Sequence, residues 1–207
     1  MESAEQPEET VARRLVRAQY TDETITVYQA YPPQIAEPAV AAGTFVAPFK
    51  RDRMTWIKPS FRWMMYRSGW ATKPGQERVL AIRITRTGFE WALRHACLSH
   101  FEPGVHETES AWRALKSTSP VRVQWDPERA TDLSALADRA IQVGLSGDAV
   151  DLYVHEWITE IRDITPLVHA IHDHVQADMW DRADGLIPTE QQYPLPADIR
   201  SRMGASG

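Results

Sequence analysis

The 207-residue sequence has one cysteine, Cys97, and lacks any long apolar run. A lone cysteine cannot form an intramolecular disulfide, which agrees with a reducing compartment. No uninterrupted apolar stretch approaches the roughly 20 residues that a membrane span needs. The acidic N-terminus also lacks the apolar segment of a secretory signal. We therefore expect a cytoplasmic protein that does not interact with membranes.

Several functional signatures are missing as well. The sequence has no Gly-rich phosphate loop, no nucleophile-elbow serine and no metalloprotease histidine pair, which argues against the common kinases, dehydrogenases and hydrolases. His169, His172 and His174 lack Cys or Glu partners at ligand spacing, so we expect a solvated helix face and no metal site. Acidic residues outnumber basic ones by 28 to 23, giving a net charge of -5, which does not suggest a general nucleic-acid binder.

What is present indicates one packed domain. The hydrophobic fraction is 43% and there are eight tryptophans, enough for a single continuous core at this length. We expect a flexible acidic N-terminus at 1–12, one globular catalytic or binding domain at 13–193, and a flexible C-terminal tail at 194–207, because both ends are rich in Pro, Ser, Gly and charge.

Local patterns predict a mixture of strands and short helices. Alternation and β-branched residues predict strands at 24–31, 54–57, 78–85, 121–125 and 140–145. Capping signals and helical spacing predict helices at 34–43, 61–68, from 87 to about 98, and 166–175. The segment 153–161 could be a strand or a helix, because 150–158 has apolar residues at both spacings; we favour a helix there, followed by the start of a strand or turn at 161–165. Together these elements indicate an α+β fold.

The most unusual stretch is 53–70, where three tryptophans, one lysine and three arginines share eighteen residues. A buried element normally excludes the cations, because an unpaired buried charge is costly. A solvated element normally excludes the tryptophans. A ligand that binds between the cations and the aromatic rings would explain both, so this stretch predicts a binding site.

Lys58 is the leading candidate within that stretch. It follows the strand-like Trp56 and precedes a helix that Ser60 starts, where a cation and helix N-terminal amides can jointly hold a phosphate or carboxylate. Arg53 and Arg67 lie close in sequence and add positive charge. The alternative is a surface lysine that covers Trp56 with its aliphatic stem.

Two glutamines are further candidates. Gln29 and Tyr31 lie on one face of the first predicted strand, so they can form a pocket wall, whereas Tyr28 points the other way. Gln142 lies in another predicted strand, and a buried Gln needs partners from a ligand or from neighbouring backbone. Asp126 and Pro127 favour a turn, with Asp126 or Glu128 as a general acid-base residue as the lesser possibility.

Five runs of the chain resemble the family catalogued as domain of unknown function 4291. They are 27–31, 53–61, 75–82, 121–129 and 141–145, and the second contains the distinctive string Trp56-Ile57-Lys58-Pro59-Ser60. The resemblance covers roughly 13 to 185. It implies membership of the family and no particular activity.

The order of elements is also similar to that of the ADP-ribosyltransferase superfamily and its relatives, the RNA 2'-phosphotransferases. That resemblance implies a split antiparallel sheet with short helices and makes NAD a possible cofactor. Where that superfamily carries an Arg or His on its first strand, this chain has Tyr28, Gln29 and Tyr31. The nearest counterpart of the catalytic glutamate is Gln142, whose neutral amide can orient a ribose hydroxyl but supplies no charge.

These observations lead to three functional hypotheses. The first is an enzyme whose cleft binds an anionic, planar ligand, such as a nucleotide, NAD or an RNA end, and transfers a ribosyl or phosphoryl group. Lys58, Gln142 and Tyr31 would be catalytic, and the substrate-binding residues would be Gln29, Arg53, Trp56, Ser60 and Arg67. The second is a cofactor-free dehydratase or cyclase of secondary metabolism that acts on an acidic, enolisable compound. The third is an RNA- or protein-binding module without turnover.

Overall fold

The structure is a computed structural model that describes residues 13–207, so the expected flexible N-terminus at 1–12 lies outside the described residues. The strands are β1 (Arg17–Ala18), β2 (Thr24–Tyr31), β3 (Thr55–Ile57), β4 (Arg78–Thr85), β5 (Ala96–Leu98), β6 (Val121–Arg129), β7 (Ala135–Leu145), β8 (Ile158–Asp163) and β9 (Gln191–Gln192). The helices are α1 (Pro33–Ala42), α2 (Phe61–Ser68), α3 (Arg86–Arg94), α4 (Glu109–Thr118), α5 (Asp148–Leu152), a π-helical turn (Tyr153–Trp157), α6 (Thr165–Gln176), α7 (Trp180–Leu186) and α8 (Ala197–Met203). The chain is a single α+β domain, as its sequence predicts.

The strands form three sheets. An antiparallel three-stranded sheet has the order β2-β4-β8, and a four-stranded sheet has the order β3-β7-β6-β5, in which only the β5–β6 pair is parallel. A short ribbon pairs β1 with β9. The two larger sheets meet where the backbone of Tyr28 in β2 pairs with that of Lys58, the residue after β3.

The three-stranded sheet is covered on both faces. Alternate residues of β2, such as Ile25 and Val27, join the main core together with the inner face of the four-stranded sheet and with α3. Tyr28, on the opposite face, packs in a second cluster with α2, α6 and α7. This alternation places Gln29 on the core side of β2, as the sequence predicts.

Local signals predicted several elements well. β2, α2 and β4 have the predicted bounds. Ser60 accepts a hydrogen bond from the Trp63 amide at 3.2 Å and so caps α2, and Gly69 ends that helix in the left-handed conformation with φ 59°.

Other predictions were wrong. The helix expected to reach about 98 ends at Arg94, and Cys97 lies on β5 because strand pairing with β6 replaces the helical turn. Strand β6 does not end at Asp126 and Pro127. It continues to Arg129 through a register shift that opposes β7.

The C-terminal half differs in two further places. The segment 150–158 is helical only as far as Trp157, and the strand β8 starts at Ile158, earlier than expected. The expected flexible tail carries α8, whose Ile199 and Met203 are fully buried in the main core. Apolar burial therefore outweighs the polar composition of the tail.

Among the described residues, no helix combines the length and the apolar character needed to cross a bilayer.

Candidate functional site

A cavity of about 460 Å³ lies beside β3, between that strand and the ends of β2 and α2. It brings together six residues that the sequence singled out: Gln29, Tyr31, Arg53, Trp56, Lys58 and Arg67. Its other walls come from α1, from 48–50 and from the 74–76 loop. A cavity of this size is typical of small-molecule sites.

Lys58 is held deep in this cavity. Its backbone pairs with Tyr28, and its side chain is only 7% exposed. Burial, and to a lesser extent the nearby charge of Arg67, lower the pKa of Lys58 to about 7, and the charge of Asp126 opposes the shift. The Lys58 Nζ donates one hydrogen bond at 3.0 Å, to the Trp56 carbonyl oxygen, its sole hydrogen-bond partner among residues 13–207. A neutral amine with a free lone pair is therefore well populated near pH 7.

Gln29 is fully engaged inside the protein. Its Nε2 lies 2.9 Å from the Tyr31 hydroxyl, 2.7 Å from Thr55 Oγ1 and 3.2 Å from the Trp56 carbonyl oxygen. Its Oε1 accepts a hydrogen bond from the Tyr153 hydroxyl at 2.8 Å. The amide thus acts as a buried brace that fixes Tyr31 and Thr55 at the cavity wall.

The Tyr31 and Thr55 hydroxyls leave one hydrogen for a ligand. The two oxygens are 2.9 Å apart, so one hydroxyl donates to the other. Both oxygens also accept from Gln29, and the second hydroxyl hydrogen has no acceptor among the described residues. Burial raises the pKa of Tyr31 to about 12, which keeps its hydroxyl protonated and able to donate.

The cations of the cavity have no acidic partners. Lys50, Arg53, Lys58 and Arg67 line it, no Asp or Glu does, and none of the four forms an ion pair with a described residue. Arginines elsewhere, such as Arg78 and Arg83, pair with carboxylates. An unpaired group of cations around one cavity favours an anionic ligand.

Aromatic rings form the apolar part of the wall. Tyr31 and Phe49 meet edge to face with ring centroids 5.9 Å apart, and Trp56 is half-buried at the lining. The ring of Trp56 packs over Gly144 of β7, where a Cβ would lie 3.0 Å from the indole. Such rings can stack on a planar group.

Ser60 lies outside this cavity. Its hydroxyl caps α2 and donates to Glu128 Oε1 at 2.8 Å, and it lines a second, separate cavity. The amide of Phe61, the first residue of α2, donates to Glu190 Oε1 at 2.6 Å. The prediction that Lys58 and the helix amides hold one anion together is therefore corrected, since the amides of Phe61 and Trp63 already have partners within the chain.

Gln142 is also absent from the cavity lining. Its amide donates to Asp126, which accepts a second hydrogen bond from Gln124 at 2.8 Å. Asp126 is the carboxylate whose charge raises the pKa of Lys58. Gln142 is thus linked to Lys58 only through the charge of Asp126, and its catalytic role stays a prediction.

The geometry can be set beside known proteins. The family model described as a domain of unknown function, DUF4291, matches residues 15–193, which is most of the chain. The chain belongs to the DUF4291 family. A search of curated proteins finds no match to it.

The part of this DUF4291 chain that matches the family model includes every residue of the cavity wall. Sequence reasoning missed Thr55, Tyr153 and Glu190. Thr55 reads as an ordinary strand residue, and Tyr153 meets Gln29 across 124 positions of sequence, so no local signal reveals either contact.

Proposed function

We propose that the cavity binds a planar ligand with more than one negative charge, of the nucleotide class, and that the protein transfers a phosphoryl or ribosyl group of that ligand. The observation that carries this proposal is the set of four basic side chains, without acidic partners among the described residues, around one aromatic-lined cavity. Phosphate groups match Arg and Lys side chains, and the rings of Tyr31, Phe49 and Trp56 match a base.

Lys58 would move the proton of the transfer step. An acceptor hydroxyl oxygen attacks the phosphorus or the anomeric carbon, and its proton passes to the neutral Lys58 amine. The leaving group departs with the electron pair of the broken bond. A group whose pKa of about 7 matches the working pH is suited to this role.

The lining supports phosphoryl transfer more strongly than ribosyl transfer. Cations stabilise the negative charge of a transferring phosphoryl group. A ribosyl cation gains from a carboxylate, and no carboxylate of residues 13–207 lines the cavity. The two sheets joined at Tyr28 and Lys58 are compatible with an ADP-ribosyltransferase-like split sheet, so NAD remains a ligand to test.

A second candidate function is a cofactor-free dehydratase or cyclase. The observation that favours it is the combination of Lys58, with its lowered pKa, and an apolar wall made by Ile35, Phe49 and Met64. A neutral amine can remove a proton next to a carbonyl, and the cations can stabilise the enolate.

Mass spectrometry of reaction mixtures distinguishes these functions. The protein is incubated with NAD, ATP or 5'-phosphorylated RNA, each with a hydroxyl or amine acceptor, and separately with enolisable β-keto acids. The proposal predicts a phosphorylated or ribosylated acceptor that Lys58→Met abolishes. The control Lys116→Met, altered at a lysine that binds the Ser99 carbonyl away from the cavity, keeps activity. Product only from the keto acids supports the second function, and binding without product supports a non-enzymatic module.

A further inference from the structure

The second cavity has a volume of about 330 Å³ and lies around Ser60, the residue that caps α2. Its polar wall includes Arg17, Arg62, Arg129, Glu128, Asp138 and Glu190. The pairing of β1 with β9 brings Arg17 close to Glu190. Arg17 is opposite Gln192 in that ribbon, and Glu190 lies only two residues before Gln192. The register shift in β6 places Glu128 in the same cavity, with only 6% of the residue exposed.

Two of these charged groups, Arg62 and Asp138, are already occupied, and Arg129 is occupied in part, because its buried Nε has no hydrogen-bond partner among the described residues. Arg62 lies 3.3 Å from an Asp184 carboxylate oxygen. Arg129 donates to the Leu133 carbonyl oxygen at 3.2 Å and stacks over a tyrosine ring. Asp138 forms a two-point contact with Arg13, at 3.1 and 2.8 Å.

The remaining charged groups have free atoms. Glu128 accepts two hydrogen bonds, from Ser60 and from the Arg129 amide, both at its Oε1. Glu190 accepts one, from the Phe61 amide, also at its Oε1. The Oε2 atoms of both carboxyls have no hydrogen-bond partner among residues 13–207. Arg17 has no carboxylate oxygen within 4.0 Å in that part of the chain.

Among the described residues, the Arg17 guanidinium and the Oε2 atoms of Glu128 and Glu190 therefore have no partner in this cavity. The guanidinium forms no ion pair with either carboxyl group. We propose that it is a second ligand site, which binds a small zwitterion of the α-amino acid class. The carboxylate of the ligand would bind Arg17, and its ammonium would bind the Oε2 atoms of Glu128 and Glu190. An amine alone leaves Arg17 without a partner, and a carboxylic acid alone meets two carboxyl groups, so only the zwitterion satisfies all three.

Two further observations agree with this assignment. No third carboxylate, histidine or cysteine joins the two glutamates to form a metal-binding group within the described residues. Burial raises the pKa of both glutamates; for Glu190, burial together with the like charge of Glu128 raises the pKa to about 8, whereas the charges of Arg17 and Arg62 lower both pKa values. The ammonium group of a bound ligand would take the place of the proton on the carboxyl groups of Glu128 and Glu190.

Calorimetry with the common free L-α-amino acids tests the site directly. We expect at least one to bind, and its N-acetyl and carboxamide derivatives to bind at least about tenfold more weakly because each lacks one charge. Glu128→Gln and Arg17→Ala should each weaken binding by a similar factor, while the exposed controls Glu156→Gln and Arg182→Ala leave it unchanged. Binding should tighten from about pH 7 to about pH 9, as Glu190, whose pKa is about 8, loses its proton.

Some results would overturn the proposal. They are the absence of binding by every amino acid, equal binding of the N-acetyl and carboxamide derivatives, or binding that Arg17→Ala does not affect. Arg17 is exposed, so its variant remains informative if Glu128→Gln impairs folding. Lys58→Met should leave amino acid binding intact, which separates this site from the nucleotide-class site.

Discussion

Tyr28 and Lys58 exchange two backbone hydrogen bonds, from the Tyr28 amide to the Lys58 carbonyl at 2.7 Å and from the Lys58 amide to the Tyr28 carbonyl at 3.2 Å. This pair joins the three-stranded and four-stranded sheets. It also fixes the backbone of the one buried lysine of the cavity, so the position of the Lys58 amine depends on the packing of both sheets. A rigidly placed amine is suited to proton transfer, because little reorganisation is needed on ligand binding.

Replacing Lys58 should stabilise the protein in a pH-dependent way. Its pKa is about 7 in the folded state against an ordinary value of 10.5. Below pH 7 both states carry the proton, and the folded state bears the full cost of a buried charge. As the pH rises from 7 towards 10.5, the folded state is neutral while the unfolded state keeps its proton, so the cost declines.

Lys58→Met should therefore raise the free energy of unfolding at about pH 6 by an amount on the order of a few kcal/mol. The gain should shrink at about pH 9. Urea unfolding at both pH values measures it. The control Lys116→Met, at a lysine that binds the Ser99 carbonyl oxygen away from the cavity, should change stability equally at both pH values. A pH-independent effect of Lys58→Met would show that its amine is not desolvated.

The hydrogen bonds of the buried Gln29 amide predict that Tyr153→Phe lowers the free energy of unfolding. The variant removes the donor to Gln29 Oε1 and leaves a buried acceptor without a partner. We expect a loss of about 1–3 kcal/mol in the free energy of unfolding. Tyr66→Phe, at a tyrosine 39% exposed, is the control and should be close to neutral. Equal denaturation midpoints for the two variants would contradict the bracing role.

A side chain at position 144 should weaken ligand binding by displacing Trp56. An added Cβ would lie 2.7 Å from the Met54 sulfur and 3.0 Å from the Trp56 ring, so both cavity residues must move. Gly144→Ala should weaken binding of a planar ligand by about tenfold, comparable to the loss of one stacking contact. Gly104→Ala meets nothing within 4 Å and should bind normally. Titration of both variants with ADP gives the comparison, and unchanged affinity for Gly144→Ala would argue against stacking on Trp56.

Local chemistry made much of this fold predictable. The alternation of β2 placed Gln29 with Tyr31, and the Ser60 cap and Gly69 stop fixed the bounds of α2. The dense cations and aromatic rings of 53–70 identified one part of the cavity wall, which includes Arg53, Trp56, Lys58 and Arg67. The absence of ion pairs between these cations and the described residues was not predictable, because ion pairing depends on residues that are distant in sequence.

The failures share a physical cause. Long-range packing brings Glu190 to the first amide of α2 and Tyr153 to Gln29. No local sequence pattern encodes either contact. Strand pairing likewise overrode the helical pattern at Cys97 and the turn signal at Asp126 and Pro127. The sequence therefore indicated residues of the first cavity but not the second cavity.

Isothermal titration calorimetry with ADP, NAD and 5'-phosphorylated RNA at low salt tests the central claim most directly. We predict that at least one ligand binds, that Arg53→Ala and Arg67→Ala each weaken binding by about tenfold or more, and that added salt weakens it further. The exposed control Arg182→Ala, outside the cavity, should bind like the unaltered protein. Absence of heat with all three ligands, or equal affinity in the Arg53, Arg67 and Arg182 variants, would contradict the account.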